Sequence, residues 1–303
     1  MKRNWIAHIF LLGAALIYGA NYSIAKIVLD GDYISPMGLV LFRVFTAFII
    51  FFIFHILFIK EKVEKKDIPK ILFVSLFGII INQSFFIIGL KHTVPINAAL
   101  LLTMVPILVF IFSAILLKEK INTRKVIGVS TAFAGVLLII LNKGDLQFSY
   151  ANMKGDILVF LNSVSYALYL VKVKPLLRKY NPITITKWMF FFGIIFITPF
   201  GLKGALNVNW QLFDTEVWLS FFYVLIFTTF LAYLFNIIAL KRVNPSVVGV
   251  YVYLQPVLAT IVALMIGKDS LSALKIISAI LIFIGVYLVS YSGEKDIKSN
   301  SKA

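Results

Sequence analysis

LKRVNPSVVGVYVYLQPV, residues 240–257, repeats the layout of LKHTVPINAALLLTMVPI, residues 90–107, which lies 150 positions earlier. In both, a lysine leads into an apolar run with prolines eleven residues apart, Pro95 and Pro106 in the first copy, Pro245 and Pro256 in the second. The correspondence extends outward without a gap. Phe85 meets Phe235, Ile87 and Ile88 meet Ile237 and Ile238, Lys118 meets Lys268, Lys125 meets Lys275, and Gly135 and Val136 meet Gly285 and Val286. Towards the front of each half the offset falls to 148 at Tyr18 and Tyr166 and to 146 at Pro36 and Pro182, as changed loop lengths would produce. The chain reads as a duplication, divided into residues 1–147 and 148–303.

The class follows from composition. With 61% hydrophobic residues, 14% charged residues and a mean hydropathy of +0.97 over 303 residues, the chain lies outside the soluble range. Apolar runs long enough for a hydrocarbon core of about 30 Å fall at 5–29, 34–59, 69–90, 95–117, 124–141, 155–174, 182–202, 215–239, 245–267 and 271–292. The basic start MKRNWIAHIFLLGAALIYGA also fits a cleavable signal sequence ending near Gly19 and Ala20. The duplication, however, requires this segment as a helix. Each half then holds five helices, an odd number, so the second copy enters the membrane from the opposite side. The expected fold is an all-α integral membrane protein of ten transmembrane helices, arranged as two inverted five-helix repeats around a central cavity.

A net charge of +16 suggests nucleic acid at first sight. Its placement argues instead for a membrane protein, because Lys and Arg concentrate in loops facing the cytoplasm. With the amino terminus inside, 21 of the 29 basic residues fall inside and seven outside, and Arg43 lies within the second helix. Both chain ends are therefore expected on the cytoplasmic side. There is no cysteine, hence no disulfide framework or thiolate metal site.

Pro95 and Pro245 stand where a helix begins and a missing N–H costs nothing. Pro106 and Pro256 lie about 16 Å further in, at 1.5 Å per residue, near mid-membrane. Each removes one backbone hydrogen bond, freeing the carbonyl of Leu102 or Val252, and bends its helix. Matching kinks at matching depth in inverted copies suit a hinge or a cavity wall.

With these features the sequence resembles the drug/metabolite transporter superfamily, in its ten-helix EamA-type branch of bacterial inner-membrane permeases. The resemblance rests on the paired proline helices, on the glycine-bearing helices AFAGVLLIIL and IFIGVYLVSY that close each half, and on GDILVFLNSVSYALYLV opening the second. It implies a cavity lined chiefly by helices 1, 3, 4, 6, 8 and 9 and export of amino acids or similar metabolites from the bacterial cytoplasm. It also implies that Asn82, Gln83 and Phe86 fall where aromatic amino-acid exporters contact cargo, and that Tyr166 falls near their sixth-helix aromatic. The amides in that triplet replace aromatic or imidazole groups, which weakens the case for an aromatic cargo.

Polar side chains within a bilayer must pair or line a wet cavity. On the sixth helix Asn162, Ser165, Tyr166 and Tyr169 recur at helical spacing, as do Thr229, Tyr233 and Asn236 on the eighth. The first helix offers Tyr18, Asn21 and Tyr22, the third Asn82, Gln83 and Phe86, the fourth Thr103 and Met104, and the ninth Tyr251 and Gln255. Together they form the expected substrate site, suited to a small neutral or zwitterionic molecule.

All 13 acidic residues fall in loops, tails or helix ends, so a buried carboxylate that exchanges protons for cargo is not expected. Facilitated or exchange transport is expected instead. Arg43 alone is too little for a phosphorylated cargo, and snorkelling or bonding to nearby carbonyls is expected of it. No P-loop, H-E-x-x-H or paired-aspartate signature marks an enzyme, and neither metal nor cofactor is expected. The expected partners are a small-molecule substrate and the lipid bilayer, with no nucleic acid and the oligomeric state open, a monomer included. A channel, a lipid-translocating protein and a phosphorylated-metabolite exchanger are the alternatives.

Overall fold

The computed structural model describes residues 5–31, 33–142, 149–265 and 272–300. Ten helices among them are long and apolar enough to cross a membrane. The first half contains α1 (Trp5–Asp30), α2 (Pro36–Ile59), α3 (Lys65–Lys91), α4 (Pro95–Leu117) and α5 (Thr123–Leu141). The second contains α6 (Tyr150–Lys179), α7 (Pro182–Leu206), α8 (Thr215–Arg242), α9 (Pro245–Val262) and α10 (Ala273–Gly293). Helix is the form available to an isolated segment in lipid, since it satisfies its own backbone groups.

Two helices run past their apolar stretches. The α6 run was expected over 155–174, but the helix begins at Tyr150, where the Ser149 side chain caps it by accepting from the Asn152 N–H. The α8 helix likewise continues to Arg242. An apolar run marks the hydrocarbon zone, whereas a helix ends where its cap is.

The packing obeys the pseudo-twofold of an inverted repeat. Helix α2 packs on α7, α5 on α10 and α4 on α9, each a pairing of one helix with its own copy. Helix α3 packs on α6 and, equivalently, α8 packs on α1. Small residues allow the closest approaches, as expected where helices associate by packing rather than by expulsion of water. A Cβ on Gly285 would lie 2.4 Å from the Gly128 carbonyl oxygen, so α5 and α10 touch backbone to backbone. At the α3–α6 crossing, a Cβ on Gly155 would lie 2.4 Å from the His92 carbonyl oxygen.

The duplication reaches into backbone irregularities. A π-helical turn occupies Leu76–Ile80 in α3, and a nine-residue π-helical stretch in α8, Tyr223–Leu231, spans the positions 150 residues on. The α-helical ladder of α4 breaks at Thr103, and that of α9 tightens into a 3-10 turn over Tyr251–Tyr253. Both breaks begin three to five residues before Pro106 or Pro256, where each ring removes a donor.

Polar contacts join the halves at both ends of the bundle. Near the end that holds the start of α1, Lys125 pairs with Glu119 at 2.7 Å, and the Ser246 hydroxyl donates to the same carboxylate at 2.9 Å. At the opposite end, Asp156 is buried and accepts from the Thr93 hydroxyl at 2.5 Å and from the Asn97 amide at 3.3 Å. Asp156 thus lies inside α6, about one and a half turns from its start, rather than in a loop.

Candidate functional site

A cavity with about 90 Å³ of space for the centres of water molecules opens between the two halves. Tyr18, one of its lining residues, stands thirteen residues into the 26-residue α1, halfway along the span. Seven helices supply the wall, from α1, α2 and α3 in one half to α8 and α9 in the other, with α4 and α6 between.

Eleven of the side chains named from the sequence line it: Tyr18 and Asn21 from α1, Asn82, Gln83 and Phe86 from α3, Asn162 and Tyr166 from α6, Tyr233 and Asn236 from α8, and Tyr251 and Gln255 from α9. The π turn in α3 orders them, because a wide turn leaves carbonyls available for cross-bonding. The Gly78 carbonyl receives the Tyr233 hydroxyl at 2.8 Å, and that hydroxyl also lies 3.2 Å from Asn82 Oδ1. Asn162 Nδ2 donates to the Asn82 carbonyl at 2.7 Å. Gly19 brings α1 against α9, since a Cβ there would lie 2.7 Å from the Gln255 carbonyl oxygen. The Tyr251 hydroxyl is held by His8 Nδ1 at 2.7 Å.

Five named residues do not line the cavity. Ser165 turns its hydroxyl to the Phe77 carbonyl at 2.6 Å, within the same π turn. Tyr169 is buried against Gly78, where a Cβ would come within 2.5 Å of its ring. Thr103 donates to the Leu100 carbonyl at 2.6 Å at the break in α4, and Met104 is half-buried just beyond it. The side chain of Tyr22 lies outside the described residues. Thr229 is also taken up locally, donating to the Val224 carbonyl at 2.8 Å. The residues whose carbonyls the inner prolines release, Leu102 and Val252, both belong to the wall.

Arg43 is the cavity residue the sequence reading placed elsewhere. It does not snorkel, and among the described residues it bonds to no carbonyl: its Nε donates to Thr229 Oγ1 at 2.9 Å, and the residue is 4% exposed. Among the described residues its Nη1 is buried without a hydrogen-bond partner, as is Oδ1 of Asn21. Such a group costs about 1–3 kcal/mol, more when charged. No Asp or Glu lines the cavity among the described residues, so its fixed charge is a single cation among hydroxyls, amides and aliphatic groups.

The sequence pattern of the EamA-like transporter family matches residues 5–141 and 153–291. The chain is 27% identical over 289 residues to the uncharacterized transporter YyaM of Bacillus subtilis (strain 168), covering 93% of each protein. It is 30% identical over 263 residues to an uncharacterized transporter of Archaeoglobus fulgidus, covering 85% of this chain and 89% of that one. Protein WALLS ARE THIN 1 of Arabidopsis thaliana is 29% identical over 286 residues, with 78% of this chain and 71% of that one covered. A solved crystal structure shares the fold at a TM-score of 0.76 and 20% identity, covering 95% of this chain and 98% of its own.

Proposed function

Because the chain belongs to the EamA-like transporter family, we propose that it is a secondary transporter, independent of ATP, that exports amino acids or similar small neutral or zwitterionic metabolites by alternating access. One observation carries this reading: a mid-span cavity between two inverted halves, with tyrosines and amides set among apolar side chains and a broken helix from each half in its wall. Rocking about those breaks exposes the cavity to one face and then the other. The lining tyrosines and amides bind the cargo, and Pro106 and Pro256 act as hinges.

The absence of acidic residues from the described cavity wall favours facilitated or exchange transport over carboxylate-driven antiport. The cargo leaves chemically unchanged. The excess of basic residues in alternate loops supports an orientation with both chain ends on the cytoplasmic face of a bacterial inner membrane.

The test is efflux of a panel of radiolabelled amino acids from proteoliposomes, repeated with Tyr166→Ala and Gln83→Ala. Saturable movement with counter-exchange, reduced about tenfold in either variant by loss of a buried contact, is the expected outcome. Continuous conductance would identify a channel, and unchanged transport in both variants would remove the site.

A further inference from the structure

We propose that Arg43 anchors a carboxylate on the solute that occupies the cavity. This rests on the reading of the cavity as a solute site and narrows its cargo to carboxylate-bearing molecules.

Two roles are separable within this one side chain. Its Nε, bonded to Thr229 Oγ1 at 2.9 Å, ties α2 to α8 and accounts for the structural role. Its Nη1 has no partner among the described residues, although the residue is 4% exposed and forms part of the cavity wall. A guanidinium remains protonated inside proteins and presents a rigid fork of donors matched to a carboxylate.

A buried charge needs a counter-charge, and the wall offers none among the described residues. The electrostatic neighbours of Arg43 are the hydroxyls of Tyr18 and Tyr233, which are dipoles rather than ions. The missing negative charge therefore arrives with the solute. One guanidinium matches one carboxylate, whereas a phosphate dianion would call for more than one cation. A solute that carries only positive charge is repelled. The buried, unpartnered Oδ1 of Asn21 adds an acceptor for an N–H or O–H on the same molecule.

The experiment compares solutes that differ only at the carboxylate: phenylacetate with phenylacetamide, and leucine with leucinamide. Each is titrated against the full-length protein in lipid nanodiscs, and binding is read from the rise in unfolding temperature. In at least one pair the carboxylate should bind about tenfold or more tightly than its amide, because a site built for a hydrogen-bonding ion leaves its own groups unpaired around the analogue.

Arg43→Gln should erase that difference, and Arg43→Lys, which keeps the charge and loses the fork, should retain part of it. Equal binding of acid and amide in both pairs, no binding by either acid, or discrimination that survives Arg43→Gln would each overturn the proposal. Should Arg43→Gln not fold, the wild-type pairs and Arg43→Lys still decide. Counterflow of the same solutes separates this idea from the transport reading. Carboxylate-selective binding without movement sinks transport and leaves the anchor, whereas movement without selectivity sinks the anchor alone.

Discussion

Lys174 donates from Nζ to the Leu240 carbonyl oxygen at 2.6 Å, clamping the end of α8 to α6. Its counterpart 148 residues earlier, Lys26, donates to the Leu90 carbonyl at 3.1 Å at the end of α3. Each lysine reaches a second carbonyl three residues further, Val243 at 2.8 Å and Thr93 at 3.3 Å. The same clamp thus recurs at opposite ends of the bundle, on the helix-to-helix turns that precede the broken helices α4 and α9.

Removing either lysine strands the carbonyls it satisfies. Lys174→Met and Lys26→Met should each destabilise the protein by about 1–3 kcal/mol, read as a lower unfolding temperature in detergent. Lys174→Met should cost more, because Lys174 is 7% exposed and its bonds are shorter. An unchanged unfolding temperature in both variants would refute the clamp.

Pro106→Ala and Pro256→Ala restore the donors missing from α4 and α9, opposite the Leu102 and Val252 carbonyls. Each variant should hold or raise thermal stability while slowing counterflow, with the double variant slowest. Full transport in the double variant would show that the breaks are packing kinks.

Gly155→Ala places a methyl group 2.4 Å from the His92 carbonyl oxygen, a contact backbone cannot absorb without moving. The α3–α6 crossing must open, at about 1–3 kcal/mol for overpacking. A lower unfolding temperature is expected, together with loss of protection at the neighbouring Asp156 clasp in hydrogen exchange. Wild-type values for both would mean the crossing is looser than its geometry.

The natural absence of cysteine makes single-cysteine labelling clean. Lys120→Cys and Ala151→Cys are exposed positions at opposite ends of the bundle. In intact cells a membrane-impermeant maleimide should label Ala151→Cys and reach Lys120→Cys only after permeabilisation. The reverse pattern would invert the proposed orientation.

The ten spans were legible because long apolar runs leave few other folds, and the inversion followed from an odd helix count. The helical stripes of α6 and α8 also located Asn162, Tyr166, Tyr233 and Asn236 at the cavity. Spacing alone could not separate Ser165 and Tyr169 from them, since the stripe is wide enough to meet α3 as well as the cavity, and α3 takes both. Arg43 lies on α2, which is not among the helices that the family resemblance implies around the cavity, and the sequence favours snorkelling or carbonyl bonding for it. Its direction is set by Thr229, a partner 186 residues away that no local pattern reveals. The π turns escaped notice for another reason. In a uniformly apolar run, an extra residue per turn leaves no mark in the residue types.

Those turns fix the aim of everything that follows them. A π turn holds one residue more than an α turn, and one residue corresponds to about 100° of rotation about the helix axis. Deleting a single residue from Leu76–Ile80 would swing Asn82, Gln83 and Phe86 away from the cavity without altering any of them. Each half carries such a segment, and the polar side chains that come directly after it, Asn82 in α3 and Tyr233 in α8, meet at the cavity.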